Sequence, residues 1–407
     1  MNRRVALAGV SGLLMASMAL TGCGQRAAGP TASGGSAGAT EKVAKIALIA
    51  PLSGNLSAFG AGMRNSLDLA VKQANEQGAI PGWKLEFVAE DDQASPDAGK
   101  NAATKVTGDK DVVGVVGPLN SSVGQAIQPI FQQAGIALVS PANTNPTLTK
   151  GADLKNPKRA YSTYFRTCTT DDVQGPFAAK YLLDAGVTEV ATVHDKKAYG
   201  QGLVTAFTEA FTAGGGKVVA AETVNPDDKD FNAVITKVKS ANPKALYYGG
   251  EYPVSGPLSQ QMKAAGLTIP LMGGDGMYDP AYIDLAGSSA EGDLVTSVGA
   301  PTETLDSAKA FVDAYKAAGY KEPWGAYGMY TYDAGNAIIA ALKTSLADAK
   351  DASAARKATV EALGKVDFAG ASGRVAFDEF GDSKARVLTV YKVTGGKWVA
   401  DKTEDFK

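Results

Sequence analysis

The stretch Val112–Gln125, VVGVVGPLNSSVGQ, contains a short apolar run that stops in small polar residues. A run this rich in β-branched side chains predicts a strand buried on both faces, as in parallel sheets. A Gly-Pro pair ends the strand, and Ser121 and Ser122 then open a predicted helix over 123–133. Hydroxyls and free backbone N–H groups at a helix N-terminus stabilise an anion. We therefore expect the carboxylate-binding end of a ligand site here.

A second predicted strand, Ile136–Val139, is also followed by a polar loop rich in hydroxyl and amide side chains, SPANTNP at 140–146. In open α/β sheets, ligands bind outside the carboxyl ends of the strands. Two neighbouring strands that end in hydroxyl-bearing loops therefore predict one shared pocket. The alternative is that these Ser, Asn and Thr residues serve only as turn and cap residues.

The rest of the body alternates strands and helices. A strand at 43–50, a helix that ends at Gly78, an extended segment at 84–89 and a helix over 97–106 precede the central strand. This βαβ order implies a parallel sheet with right-handed crossovers.

The same rhythm restarts after residue 158 and predicts a second lobe. The further predicted strands are 190–193, 217–221, 245–248 and 269–272, with a loop at 194–202 and helices over 203–213, 308–318 and 327–346. Two tail strands, 373–377 and 387–393, could belong to either lobe.

The first segment reads as a targeting signal. A basic start, an apolar run from Val5 to Leu20 and small residues before Cys23 resemble a bacterial lipoprotein signal over 1–23. In that family the cysteine receives the lipid, so we expect an extracytoplasmic protein that is lipid-anchored to the cell membrane. A Gly/Ala/Ser/Thr-rich tether over 24–42 follows. An ordinary signal peptide or a short membrane anchor is the alternative.

Composition limits the possible functions. The chain has 407 residues, is 45% hydrophobic and carries a formal net charge of −2, which suits a two-domain soluble body and gives no reason to expect nucleic acid as a partner. The sequence carries no metal-ligand cluster, nucleophile elbow, phosphate loop or dinucleotide fingerprint, so we expect neither an enzyme nor a cofactor or metal. Cys168, unpaired once Cys23 is lipidated, is expected to be a buried apolar residue, and His194 to anchor its own loop.

From about residue 43 to 399 the chain resembles the periplasmic leucine/isoleucine/valine-binding proteins, the amino-acid-capturing subunits of ABC importers. The matching segments are PLSG at 51–54 with Phe59-Gly60, EDD at 90–92, PANT at 141–144, FRT at 165–167, Asp171 with QGP at 174–176 and AKY at 179–181, VHDK at 193–196 with Tyr199-Gly200, YYGG at 247–250 and SAEG at 289–292.

This resemblance implies a type I periplasmic binding protein fold: two doubly wound α/β lobes with parallel sheets, joined by three hinge strands. The lobes are expected to comprise 43–166 plus 299–373 and 167–298 plus 374–407, with crossings near Arg166, Val298 and Arg374. It implies a monomer that closes around an amino acid and delivers it to permease subunits.

The resemblance also assigns a ligand site, position by position. Ser121 and Thr144, with Ser122 nearby, are expected to donate hydroxyls to the ligand carboxylate. Backbone groups at Leu119, Asn120, Ala142 and Asn143 assist. Asp275 is expected to be the principal counter-ion of the ligand ammonium, together with Asp171 and Tyr199, and Phe59 lies over the ligand side chain. A zwitterion needs donors at one end and a carboxylate at the other.

The sequence departs from the family at two places. Glu251 stands where the best-known members have tyrosine, and Ala94 and Asn120 stand where they have a loop-joining disulfide. A second carboxylate beside the side-chain slot suits an aliphatic ligand poorly unless it is already paired or points away. A branched-chain or other aliphatic amino acid is therefore expected from the family, with a polar or basic amino acid selected by Glu251 as the rival. A sensor lipoprotein that serves no transporter is a further alternative.

Overall fold

The computed structural model describes residues 41–407, so the predicted signal peptide, Cys23 and the tether up to residue 40 lie outside the described residues. The strands are β1 Lys42–Ala50, β2 Trp83–Asp91, β3 Val112–Val116, β4 Ala137–Ser140, β5 Tyr164–Arg166, β6 Glu189–His194, β7 Lys217–Thr223, β8 Ala245–Gly249, β9 Leu271–Gly273, β10 Leu294–Ser297, β11 Asp367–Gly370, β12 Gly373–Ala376, β13 Val387–Thr394 and β14 Lys397–Asp405. The helices are α1 Ser57–Glu76, α2 Pro96–Gly108, α3 Ser121–Ala134, α4 Thr147–Lys150, α5 Asp171–Asp184, α6 Ala198–Ala213, α7 Asn232–Ser240, α8 Tyr252–Ala264, α9 Pro280–Ala286, α10 Lys309–Ala317, α11 Gly328–Ser345 and α12 Ala352–Leu363. None of these helices is long and apolar enough to cross a membrane.

The first sheet is fully parallel and has the order β2-β1-β3-β4-β5. Its central strand, β3, is buried along its whole length, as the β-branched run predicts. Gly114 lets α11 pack closely on this strand, because a Cβ there would lie 2.8 Å from Cγ2 of Ile338. Strand β3 therefore presents its carboxyl end at the middle of one sheet edge.

The second sheet has the order β14-β13-β10-β9-β8-β6-β7, in which β13 runs antiparallel to both of its neighbours, β10 and β14, and the other neighbouring strands are parallel. The predicted two-lobed α/β fold is thus confirmed. The tail strands divide: β13 joins this second sheet, whereas β12 pairs with β11 in a separate two-stranded sheet. A strand pattern alone does not identify its partner, because pairing is a long-range choice.

The loop predicted at 194–202 is wrong in its second half, because α6 already begins at Ala198. Gly200 lets the helix approach β8, since a Cβ there would lie 2.3 Å from the carbonyl oxygen of Gly249. Tyr199 consequently lies in the first helical turn. The Nδ1 atom of His194 accepts a hydrogen bond from the backbone of Lys196 at 3.0 Å, as expected of a loop anchor.

A buried guanidinium ties the end of β5 to the loop after β4. Arg166 is inaccessible to solvent and donates to Oδ1 of Asp382 at 2.6 Å. It also donates to the carbonyl oxygens of Asn143 and Asn145 at 2.7 and 2.9 Å, and to the Thr149 hydroxyl. Burial acts to lower the pKa of Arg166, but the Asp382 carboxylate together with the neighbouring Tyr164 and Cys168 raises the pKa above its ordinary value. The arginine therefore stays charged and holds the loop over 143–149.

Removing the counter-ion should leave this charge buried without a partner. We expect Asp382→Ala to lower the free energy of unfolding by about 3–5 kcal/mol, measured by urea denaturation. The matched control is Glu379→Ala, because Glu379 is exposed and lies three residues before Asp382 in the chain. It should change the free energy of unfolding by less than about 0.5 kcal/mol. Equal stability of the two variants would show that the Arg166 pair does not hold the loop.

Candidate functional site

A cavity lies among loops that follow strands of both large sheets. Its lining residues are Phe59, Leu119, Asn120, Ser121, Ala142, Tyr199, Glu251, Asp275, Gly276 and Tyr327. Eight of the twelve residues predicted for the ligand site are among them. The structure therefore brings together predicted residues from six separate segments of the chain.

The loops after β3 and β4 contribute to one wall, as their neighbouring strands predict. Ser121 is the first residue of α3, so the N-terminal end of this helix borders the cavity. Ser140 shapes the second loop, since its Oγ accepts from the backbone N–H groups of Ala142 and Asn143 at 3.2 and 2.8 Å. These two N–H groups, predicted to assist carboxylate binding, are thus already bonded within the protein.

Four predicted site residues do not line the cavity: Ser122, Asn143, Thr144 and Asp171. The Asn143 amide instead supports the first loop, donating to the carbonyl oxygens of Pro118 and Leu119 at 3.1 and 2.8 Å. Thr144 is fully buried, and its hydroxyl has no hydrogen-bond partner within residues 41–407. A ligand contact by any of the four remains a prediction.

Asp275 lies in a second wall of the cavity, in the segment that follows β9 of the second sheet, and is 1% exposed. Its carboxylate accepts hydrogen bonds from Gln174 Nε2 at 2.9 Å and from the hydroxyls of Tyr199 and Tyr327, each at 2.8 Å. All three donors are neutral. Burial raises the pKa of Asp275, and the three donors act in the opposite direction. The site therefore holds a carboxylate that is oriented by hydrogen bonds but not neutralised by them.

A second buried carboxylate, Asp171, begins α5 close behind the first. Gln174 Nε2 lies 3.4 Å from its Oδ1, whereas its Oδ2 has no partner in the part of the chain that the structure describes. Burial and then the negative charge of Asp275 raise the pKa of Asp171 well above its usual range. This wall of the cavity is accordingly suited to a cation.

Glu251 lines the cavity, but both its oxygens are engaged. Oε1 accepts from Asn120 Nδ2 at 2.7 Å, and Oε2 accepts from Lys197 Nζ at 3.1 Å. The bond to Asn120 joins the loop after β3 in the first sheet to the loop after β8 in the second. Asp195 lies behind this pair, and burial and then the charge of Glu251 raise its pKa.

Aromatic rings form the apolar part of the site. The Phe59 ring packs edge-on against Tyr327 and Tyr252, with centroids 5.1 and 5.3 Å apart. Tyr252 also donates to the carbonyl oxygen of Asn55 at 2.6 Å. This arrangement keeps Phe59 fixed and buried at the cavity wall.

Sequence reasoning missed the contributions of Tyr327, Gln174 and Lys197. Tyr327 stands at the predicted start of a helix, where the sequence alone does not distinguish a ligand-site residue from an ordinary helix residue. Gln174 is within a segment that matches the family, and this was the one available signal. Its Oε1 accepts from the Asp275 backbone at 3.0 Å and from the Thr296 hydroxyl at 2.7 Å.

Comparison with known proteins agrees with this fold and site. Residues 43–397 match the family described as periplasmic binding protein. The chain is 35% identical to a Leu/Ile/Val-binding protein of Rhizobium johnstonii over 87% of this chain and 93% of the relative. The protein therefore belongs to the periplasmic binding protein family.

Two solved structures show the same architecture. A leucine-binding protein of Thermotoga maritima has a TM-score of 0.78 at 29% identity and covers 88% of this chain and 98% of its own. A branched-chain amino acid transporter substrate-binding protein of Streptococcus pneumoniae, in complex with isoleucine, has a TM-score of 0.78 at 28% identity. It covers 89% of this chain and 99% of its own.

The buried carboxylate of Asp171, whose Oδ2 has no hydrogen-bond partner among residues 41–407, should cost stability when no ligand is bound. Its raised pKa means that protonated Asp171 contributes stability below its ordinary pKa, a contribution that is lost as pH rises through the folded-state pKa. We expect Asp171→Asn to raise the free energy of unfolding of dialysed protein by roughly 1–3 kcal/mol at pH 8, and by less at pH 5.

The neighbouring Asp172 offers the control, because it is paired with Lys150 Nζ at 2.6 Å. Asp172→Asn should give no gain at either pH in the same urea titrations. A loss of stability at pH 8 in Asp171→Asn would contradict the assignment of Asp171 as a destabilising charge.

Proposed function

We propose that this protein is the extracytoplasmic substrate-binding protein of an ABC importer and that it captures a branched-chain or other aliphatic amino acid. The observation that carries the proposal is that two chemically different walls line one cavity. One wall has the N-terminal end of α3 with Ser121, and the other has Asp275, a buried carboxylate held by neutral donors, with Asp171 sharing its Gln174 donor. The proposed activity is binding and not catalysis.

An α-amino acid zwitterion satisfies both walls at once. A helix N-terminus favours the carboxylate, and the ammonium supplies the positive charge that Asp275 and Asp171 lack within the protein. Desolvation of two ligand charges is tolerable when each finds a partner. A ligand with only one of the two charges leaves one wall unsatisfied.

The pairing of Glu251 supports the aliphatic class over a basic ligand. Since Lys197 and Asn120 already occupy its oxygens, Glu251 does not offer a free counter-ion to a cationic side chain. Phe59 and Tyr327 present ring surface to the same cavity. The Rhizobium, Thermotoga and Streptococcus proteins, all named for branched-chain amino acids or leucine, support the same class.

Hinge closure is the proposed mode of capture. Hydrogen bonds from Asn120 to Glu251, from Asn145 to Ala198 and from Tyr327 to Asp275 connect elements of the two lobes around the cavity. We propose that ligand bound at the first lobe recruits the second, within the predicted lobe boundaries, and so shifts the population to a closed form. Lipid attachment at Cys23, monomeric state and delivery to permease subunits belong to the same proposal.

Leucine and two truncated analogues test the two-wall arrangement in the purified protein. Leucine, isoleucine or valine should raise the melting temperature with concentration, because a ligand that binds only the native state stabilises it. We expect 4-methylpentanoate, which lacks the ammonium, and 3-methylbutylamine, which lacks the carboxylate, to bind at least ~100-fold more weakly in calorimetric titration. Stabilisation by lysine or arginine alone would overturn the aliphatic assignment.

Asp275→Ala should abolish most of the ammonium contribution. Its expected cost in leucine binding is about 2–5 kcal/mol, as for a buried charge that loses its partner. Asp284→Ala, on an exposed residue of α9, is the control and should leave the dissociation constant unchanged. A cost below ~1 kcal/mol in Asp275→Ala would exclude Asp275 as the counter-ion.

A further inference from the structure

Asn120 stands at the N-cap position of α3, where an asparagine side chain ordinarily accepts a hydrogen bond from the first helical turn. Here it makes no such bond. The residue is 4% exposed and lines the cavity. Its side chain is therefore placed for some purpose other than helix capping.

The orientation of the Asn120 amide follows from its partner. Nδ2 lies 2.7 Å from Oε1 of Glu251, and an ionised carboxylate only accepts hydrogen bonds. The amide nitrogen must face Glu251, so the other atom is the carbonyl oxygen. Lys197 at 3.1 Å from the second carboxylate oxygen holds Glu251 in this position.

The remaining atom, Oδ1 of Asn120, is buried and has no hydrogen-bond partner among residues 41–407. A buried acceptor without a donor costs free energy, because it has lost its water and gained nothing in exchange. Both carboxylate oxygens of Glu251, by contrast, are already bonded, one to Asn120 and one to Lys197. The site thus contains one neutral acceptor that the protein itself does not satisfy.

We infer that Asn120 is a specificity-determining residue whose Oδ1 accepts a hydrogen bond from a neutral donor on the ligand side chain, a hydroxyl or a primary amide. This inference rests on the proposed amino-acid binding and revises the ligand class: an aliphatic side chain is still accommodated, but one that carries a neutral donor is preferred. Aliphatic ligands fit the aromatic wall but leave Oδ1 unpaired. A ligand of the same shape that carries a donor satisfies both.

Two pairs of isosteric amino acids separate shape from hydrogen bonding. Threonine replaces one methyl group of valine by a hydroxyl, and asparagine replaces the isopropyl end of leucine by an amide. The two pairs place the donor at different distances from Cα, so the position of the subsite need not be assumed. The measured quantity is the ratio of dissociation constants within each pair, by calorimetric titration of the purified protein.

We expect the donor-bearing member of at least one pair to bind more tightly than its aliphatic isostere in the wild type. The preference should fall by at least ~fivefold in Asn120→Ala, which removes the acceptor. It should fall similarly in Glu251→Gln, because a glutamine amide at 251 can donate to Asn120 Oδ1 and occupy it in place of the ligand. Since both ligands of a pair meet the same fold, a general loss of stability cancels in the ratio.

Tighter binding of the aliphatic member in both pairs, with ratios that neither variant changes, would overturn the inference while leaving the proposed function intact. Absence of binding by all four amino acids, and by isoleucine and alanine, would instead reject the proposed function itself. A preference that survives Asn120→Ala would also overturn the inference, because the donor would then be recognised elsewhere.

Discussion

The charge of Arg166 is buried completely, and the geometry of the binding loops depends on how that charge is satisfied. Its guanidinium group donates hydrogen bonds to Asp382, to two carbonyl oxygens of the loop after β4 and to the Thr149 hydroxyl. A buried cation is tolerated only when its donors are paired. The pairing therefore fixes the path of residues 143–149 and, through Asn143, supports the carbonyl oxygens of the loop after β3.

The candidate site shows the opposite situation, because two of its buried carboxylates form no ion pair within the part of the chain that the structure describes. Arg166 is matched by a carboxylate, whereas Asp275 accepts hydrogen bonds from three neutral side chains and Asp171 has only a 3.4 Å contact with Gln174 among the described side chains; burial raises the pKa of both aspartates. Proteins accept such unneutralised groups at functional sites, where a ligand completes the pairing. The free energy that these buried groups cost the ligand-free protein is therefore recovered when a ligand pairs with them. In the proposed mechanism, this binding free energy also drives the two lobes together.

Some parts of this arrangement could be predicted locally and others only through resemblance. The burial of β3 and the polar loop after it follow from the β-branched run and the residues that end it. Asp275 could be assigned only through similarity to a family, because one aspartate after a strand looks like any turn residue. Tyr327 was missed for a related reason: the sequence around an aromatic residue at a helix start does not indicate that its hydroxyl contacts Asp275. The pairing of Glu251 was equally hidden, since Lys197 is 54 and Asn120 is 131 residues away in the chain.

The sequence by itself determined the alternation of strands and helices, the parallel βαβ order and the placement of polar loops at the carboxyl ends of strands. These features depend on side-chain shape and on hydrophobic period, which neighbouring residues specify. Only the tertiary structure decided which carboxylates are neutralised, which tail strand joins which sheet and which acceptor is left without a donor. The physical reason is that burial and pairing are made by residues distant in the chain, so the chemistry of a polar group is settled only once its neighbours are in place.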